Sequence, residues 1–237
     1  MYTYHKATAN GMTLHIIETD ASNIKPVQLL KTSNLKGSNE YGINGGWYTS
    51  TKPDDNNCNI LNIAVSGGRP VGGGENKYDE LRDGSVSTVG KHAIFYTGSY
   101  MGYMEATNYE DLPGVKGNSR AWAQGGVGMS LCNKNWKSMD YFSGGFESYH
   151  EGLSAIVVNL DTNKVYLIAT SKEVNYVEFR SAIQSYLGLK DSAATNDPAW
   201  KGLFLDGGAS TQFRCAEAEI TTGRVLCQVI VLKSKAH

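Results

Sequence analysis

Asp206 stands in Gly202-Leu203-Phe204-Leu205-Asp206-Gly207-Gly208-Ala209-Ser210-Thr211, an apolar run that stops at an acid, two glycines and two hydroxyls. Leu203, Phe204 and Leu205 suit a short covered strand. Paired glycines let the backbone take positive φ and approach a ligand closely. Amides in such a turn form an anion-binding nest, to which Ser210 and Thr211 add hydroxyls. Asp206 supplies the ionisable group at the strand end. The competing reading is an ordinary Asp-Gly-Gly turn.

A second stretch, Tyr41-Gly42-Ile43-Asn44-Gly45-Gly46-Trp47-Tyr48, has the same grammar: a short apolar entry, a hydrogen-bonding side chain, two glycines, then aromatics. Asn44 is suited to binding a sugar hydroxyl or a phosphate oxygen, and its bland reading is an Asx turn. Two such stretches far apart in sequence are expected to converge on one cleft.

The elements that would position them read mostly as strands. Met12 to Thr19, Val27 to Leu30, Ile60 to Val65, Lys91 to Tyr100 and Arg224 to Lys233 carry β-type runs, and Trp122 to Leu131 alternates glycine with apolar residues. Ala155–Leu160 and Lys164–Thr170 form a hairpin across Asp161-Thr162-Asn163. One helix is marked by Asn175 with Glu178 three residues on, and Gly188 ends it. Val71-Gly72-Gly73-Gly74-Glu75 lacks the Gly-Lys-Ser/Thr ending of a phosphate loop and reads as a turn. The order is not regular βαβ, so the expectation is a single α+β domain over residues 1–237. It would have a large mixed or mostly antiparallel sheet, few helices, and glycine-rich loops forming a surface cleft.

Composition narrows the function classes. A hydrophobic share of 41% over 237 residues excludes a disordered chain, and no apolar run approaches the ~20 residues of a membrane helix. A net charge of −1 without basic blocks argues against nucleic acid and anionic membrane as partners. Met1-Tyr2-Thr3-Tyr4-His5-Lys6 has no signal-peptide pattern, so the expectation is a cytoplasmic protein, or a secreted or virion-associated one whose leader was removed. Cys58, Cys132, Cys215 and Cys227 show no Cys-x-x-Cys pairing and read as free, mostly buried thiols. His5, His15, His92, His150 and His237 show no zinc spacing, and no metal or cofactor is expected.

Asn44-Gly45-Gly46-Trp47-Tyr48, then Gln124-Gly125-Gly126-Val127-Gly128, the hairpin, the helix and Leu205 to Thr211 occur in the order seen in the phosphodiester glycosidase domain family. The chain resembles that family from about residue 40 to 232. The resemblance implies hydrolysis of the bond between a sugar's anomeric carbon and the phosphate of a sugar-1-phosphodiester. Such a reaction passes through an oxocarbenium-like state that calls for a carboxylate. Phosphate leaves readily, so anion stabilisation outweighs protonation of the leaving oxygen. Asp206 is then the first catalytic carboxylate, with Glu105, Glu147 and Glu151 as partners from the central loops, each of which reads equally as a solvated surface acid. Asn44, Gly45, Gly46, Gly207, Gly208, Ser210 and Thr211 would bind substrate, and Tyr141, Phe142, Phe146 and Tyr149 would wall the sugar.

The sequence departs from the family where relatives carry an arginine before the strand matching Ser154-Ala155-Ile156; here it reads His150-Glu151-Gly152-Leu153. Arg120 or His150 would have to hold the phosphate, with Arg120 the better two-oxygen grip. The missing arginine also motivates the alternative, a carbohydrate or phospho-ligand binding domain that kept the cleft and lost turnover.

Overall fold

The computed structural model describes residues 1–29, 34–49, 59–72, 92–139, 145–192 and 197–236. Cys58, Tyr141, Phe142, His237 and the Gly73–Glu75 part of the glycine run lie outside these residues.

Strand Tyr2–Ala9 folds back onto Met12–Asp20 through Asn10-Gly11, both at positive φ (50° and 71°), the geometry a two-residue hairpin requires. From that edge a ten-stranded sheet runs on through Lys164–Val174, His150–Asn159, Trp200–Phe204, Trp122–Gly128, Ala64–Ser66 and Arg69–Pro70. His92–Tyr96 pairs with Trp122–Gly128 and carries Met101–Glu105. A five-stranded sheet orders Glu219–Ile220, Phe213–Arg214, Gly42–Asn44, Gln228–Leu232 and Ile24–Gln28.

The strand His150–Asn159 explains the layering. Its Ile156 and Val158 pack with Ile43, Phe213 and Ile230 of the smaller sheet, while Ala155 and Val157 pack with Phe179 and Ile183 of the helix Tyr176–Leu187. The strand is therefore covered on both faces, each buried aliphatic side chain contributing about 1.5–3 kcal/mol. The helix begins where the Asn175 side chain accepts from the Glu178 amide at 2.9 Å and ends at Gly188, φ 70°.

These observations correct the α+β expectation. Every strand pairing among the described residues is antiparallel, two sheets rather than one organise the chain, and Tyr176–Leu187 is the only described helix longer than four residues. The fold is mostly β. Apart from Tyr2–Ala9, the strands missed in the sequence are two to five residues long, too short for a period of two to show.

Cys132 and Cys215 are buried free thiols, whereas Cys227 is disulfide-bonded, which corrects the reading of all four cysteines as free. Among the described residues no helix is long and apolar enough to cross a membrane.

Candidate active site

The strand Trp200–Phe204 is held on both sides, with Phe204 opposite Ala155 on one neighbour and Val127 on the other. Leu205 leaves the sheet with its amide bonded to the Ser154 carbonyl at 2.9 Å. The chain then crosses to Phe213 in the smaller sheet, and Asp206 to Gln212 is the crossing. Gly208 takes the positive φ expected of the motif, 60°, and opens a single 3-10 turn, Gly208–Ser210. Gly207 does not; its φ of −108° is open to any residue. Glycine is needed there for space, because a Cβ would sit 2.6 Å from Leu153 Cδ2 and 3.2 Å from the Tyr176 hydroxyl.

The two glycine stretches meet. Asp206 donates its amide to the Gly45 carbonyl at 3.1 Å, and Asn44 Nδ2 donates to the Asp206 carbonyl at 2.7 Å. Ser154 Oγ donates to that same carbonyl at 3.0 Å. Asn44 Oδ1 accepts from the Gln212 amide at 3.1 Å, so this buried side chain is fully occupied as a clasp between the sheets. The amides of Gly45 and Gly46 are taken by Gln228, through its carbonyl at 2.9 Å and its Oε1 at 3.0 Å. Gln228 Nε2 passes on to Gln124 Oε1 at 2.7 Å. In this geometry Asn44, Gly45 and Gly46 hold the Asp206 loop in place; none of them turns a spare donor toward a ligand.

Asp206 itself keeps part of its surface open, but protein encloses its carboxyl on most sides. Burial raises its pKa to about 6, against the opposing pull of the Ser210 hydroxyl, the Arg224 charge and the Gly207 amide. Around it stand polar atoms whose needs the fold leaves open. Ser210 Oγ, Thr211 Oγ1 and His150 Nε2 are buried without a well-formed hydrogen bond; Ser210 faces the carboxyl closely enough to lower its pKa, yet short of good bond geometry. Burial also lowers the His150 pKa, so the ring is neutral near pH 7. His150 packs edge-on against Tyr176, 5.1 Å between centroids, and a Cβ added at Gly208 would lie 3.8 Å from its Nδ1. Burial, and then the nearby Asp206 charge, keep the Tyr176 phenol protonated.

The other sequence candidates are elsewhere. Arg120 is exposed in the turn that precedes the strand Trp122–Gly128, with its side chain over Gly98. Glu105 is exposed at the end of Met101–Glu105, a strand that among the described residues pairs only with His92–Tyr96. Glu151 is exposed and follows the inward His150, as strand alternation dictates. Glu147 is exposed and paired with Lys137. Phe146 is core, packed edge-on and tilted among Trp136, Tyr176 and Phe204, while Tyr149 is exposed with its hydroxyl on Glu178 at 3.0 Å. Sequence reasoning missed Tyr176 and Arg224. Tyr176 reads simply as the first residue of the capped helix, and Arg224 as the start of a strand.

No family model matches the chain, and no curated protein matches its sequence. A solved structure does resemble it: the catalytic domain of zebrafish N-acetylglucosamine-1-phosphodiester α-N-acetylglucosaminidase, auto-inhibited by its pro-peptide. The likeness has a TM-score of 0.59 at 10% identity and covers 99% of this chain and 82% of that one. At that identity the two share a fold.

Proposed function

We propose that this protein is a hydrolase of the glycosidase class that cleaves the bond between a sugar's anomeric carbon and phosphate in a sugar-1-phosphodiester. The observation that carries the reading is the group of unsatisfied buried atoms, Ser210 Oγ, Thr211 Oγ1 and His150 Nε2, around a carboxyl raised to about pKa 6. Buried polar atoms are normally paired, so several orphans beside one perturbed acid are best explained by a polar ligand that completes them. The phosphodiester chemistry is supported by the fold shared with the zebrafish enzyme.

In this reading Asp206 acts ionised. Its carboxylate stabilises positive charge developing at the anomeric carbon, and the low-dielectric surroundings that raise its pKa also strengthen that interaction. Ser210 and Thr211 donate to phosphate oxygens as the leaving group gains charge. Tyr176 stays a neutral phenol beneath the loop.

The test is incubation of purified protein with glycosyl 1-phosphate methyl esters, measuring reducing-sugar release. Wild type should turn over, Asp206→Asn should lose at least about 100-fold in kcat, and kcat/KM should fall as pH drops through about 6, where the carboxylate is protonated. A second reading, a binding domain without turnover, draws support from the exposed placements of Glu105, Glu147 and Glu151, which leave Asp206 without a partner among those candidates. Tight binding with no sugar released would favour it.

A further inference from the structure

Resting on that reading of the site, we infer that Arg224 grips the ligand's phosphate with its two terminal nitrogens, and that Tyr48 holds its guanidinium in place beside the Asp206 to Gln212 crossing. Arg224 is exposed, its Nε donating to the Tyr48 hydroxyl at 3.0 Å while its guanidinium lies 5.4 Å from the Tyr48 ring centre. Tyr48 in turn donates to the Val225 carbonyl at 2.7 Å, so ring and guanidinium fix each other. Among the described residues no hydrogen bond reaches Nη1 or Nη2. The side chain is thus pinned by one edge and presents the other as a free two-pronged donor, the geometry that matches two phosphate oxygens.

The loop that carries Arg224 is tied to the crossing at Asp206. The Arg224 carbonyl accepts from Gln212 Nε2 at 2.8 Å, its amide donates to Thr222 Oγ1 at 3.3 Å, and Thr222 Oγ1 donates to the Ala209 carbonyl at 2.5 Å. Gln212 is the residue whose amide meets Asn44. Arg224 is therefore fastened to the segment that carries Ser210 and Thr211. Its charge is felt at Asp206, yet no ion pair forms between them. A bound anion must sit close to an ionised carboxylate here, and a fixed cation offsets that repulsion. Neither earlier candidate does so, because the Arg120 side chain lies over Gly98 and His150 is neutral.

Calorimetric titration with inorganic phosphate and with glucose 1-phosphate, at about 0.15 M ionic strength to screen non-specific attraction, tests the assignment. Wild type should bind both, Arg224→Met should weaken both by about 10- to 100-fold, and Arg224→Lys should fall between, keeping charge but losing the fork. Thermal melting should match wild type in both variants, since the side chain is exposed. Tyr48→Phe, which keeps the ring and removes the Nε contact, should show a smaller loss. Unchanged phosphate affinity in Arg224→Met, a loss that follows His150→Ala instead, or no phosphate binding by wild type would each overturn the proposal. The hydrolase reading fails separately: phosphate binding that depends on Arg224 without cleavage of any glycosyl phosphodiester would sink the enzyme and leave the anion grip standing. Cleavage with an unchanged KM in Arg224→Met would do the reverse.

Discussion

Asp191 and Asp206 are both acids drawn partly into the protein, and their surroundings push them in opposite directions. Burial works to raise the Asp191 pKa, but hydrogen bonds from Arg180 and Gln184 and the Arg180 charge outweigh it and hold the acid below its usual range. Arg180, 2% exposed, meets both Asp191 oxygens at 2.8 Å. It also donates to the carbonyls of Met129 at 2.7 Å and Ser130 at 2.9 Å and lies 4.6 Å from the Trp136 ring centre. Every prong of that guanidinium is used. At Asp206 burial wins, hydroxyls remain unsatisfied, and the nearby arginine keeps its fork free. A charge whose partners are all internal is a fastener; a charge left short of partners is prepared for something from outside.

Breaking the fastener should give the largest change. Arg180→Met removes the bidentate partner of Asp191, which keeps only Gln184, and the donor to the buried Met129 carbonyl, and should cost about 3–5 kcal/mol of stability, read from the denaturant midpoint. Any activity lost should return when the variant is assayed well below its melting point. A loss below about 1 kcal/mol would mean that the cluster is no more structural than a surface pair.

Asp206→Asn should move stability the other way. A folded pKa of about 6 against a usual 3.8 means that the folded protein holds this proton more tightly than the unfolded chain. Stability contributed by the protonated acid is then lost as pH rises through the window from about 4 to 6. The asparagine variant should be more stable than wild type at pH 7 by about 1–2 kcal/mol, allowing for solvent screening of a partly open group. Its stability should also vary less across that pH window. A variant less stable than wild type at pH 7 would place Asp206 with Asp191, as a structural acid.

The same contrast shows which parts were legible in the sequence. The acid-Gly-Gly strand end, the hairpin of residues 155–170 and the helix from Asn175 to Gly188 depend on neighbours within a few positions, so their residue types announce them. Tyr2–Ala9 escaped although Asn10-Gly11 marks its turn, because only the two ends of that strand are buried and no apolar alternation results. The smaller sheet escaped because its strands come from residues 24 to 232 and pair through contacts no local pattern encodes. Around Asp206, the meeting of the two glycine stretches was readable. The role of Gly45 and Gly46 was not, since it is set by Gln228, more than 180 positions away. Nor was the link of Arg224 to the Asp206 crossing, which depends on loops joined through Gln212 and Thr222.

Asn62 offers the smallest and sharpest extension of the comparison. It is fully buried, yet neither Nδ2 nor Oδ1 has a hydrogen-bond partner, and it presses on Gly46, where a Cβ would come within 2.4 Å of both atoms. It adjoins the clasp that carries Asp206, so it shares the site's pattern of unmet polar need rather than the satisfied pattern of Arg180. Leucine has nearly the same branching and volume without the polar atoms. Asn62→Leu should therefore relieve a desolvation cost and raise stability by about 1 kcal/mol, or about 2–4 °C in Tm for a chain of this length. A carboxamide kept at such a cost beside the Gly46 clasp should earn it in ligand binding, so the Tm rise caused by saturating glucose 1-phosphate should be smaller in the variant than in wild type. A fall in Tm by a similar amount would show that the carboxamide is satisfied after all, most simply by a buried water that leucine expels. Asn62 would then belong with Arg180 as a structural group.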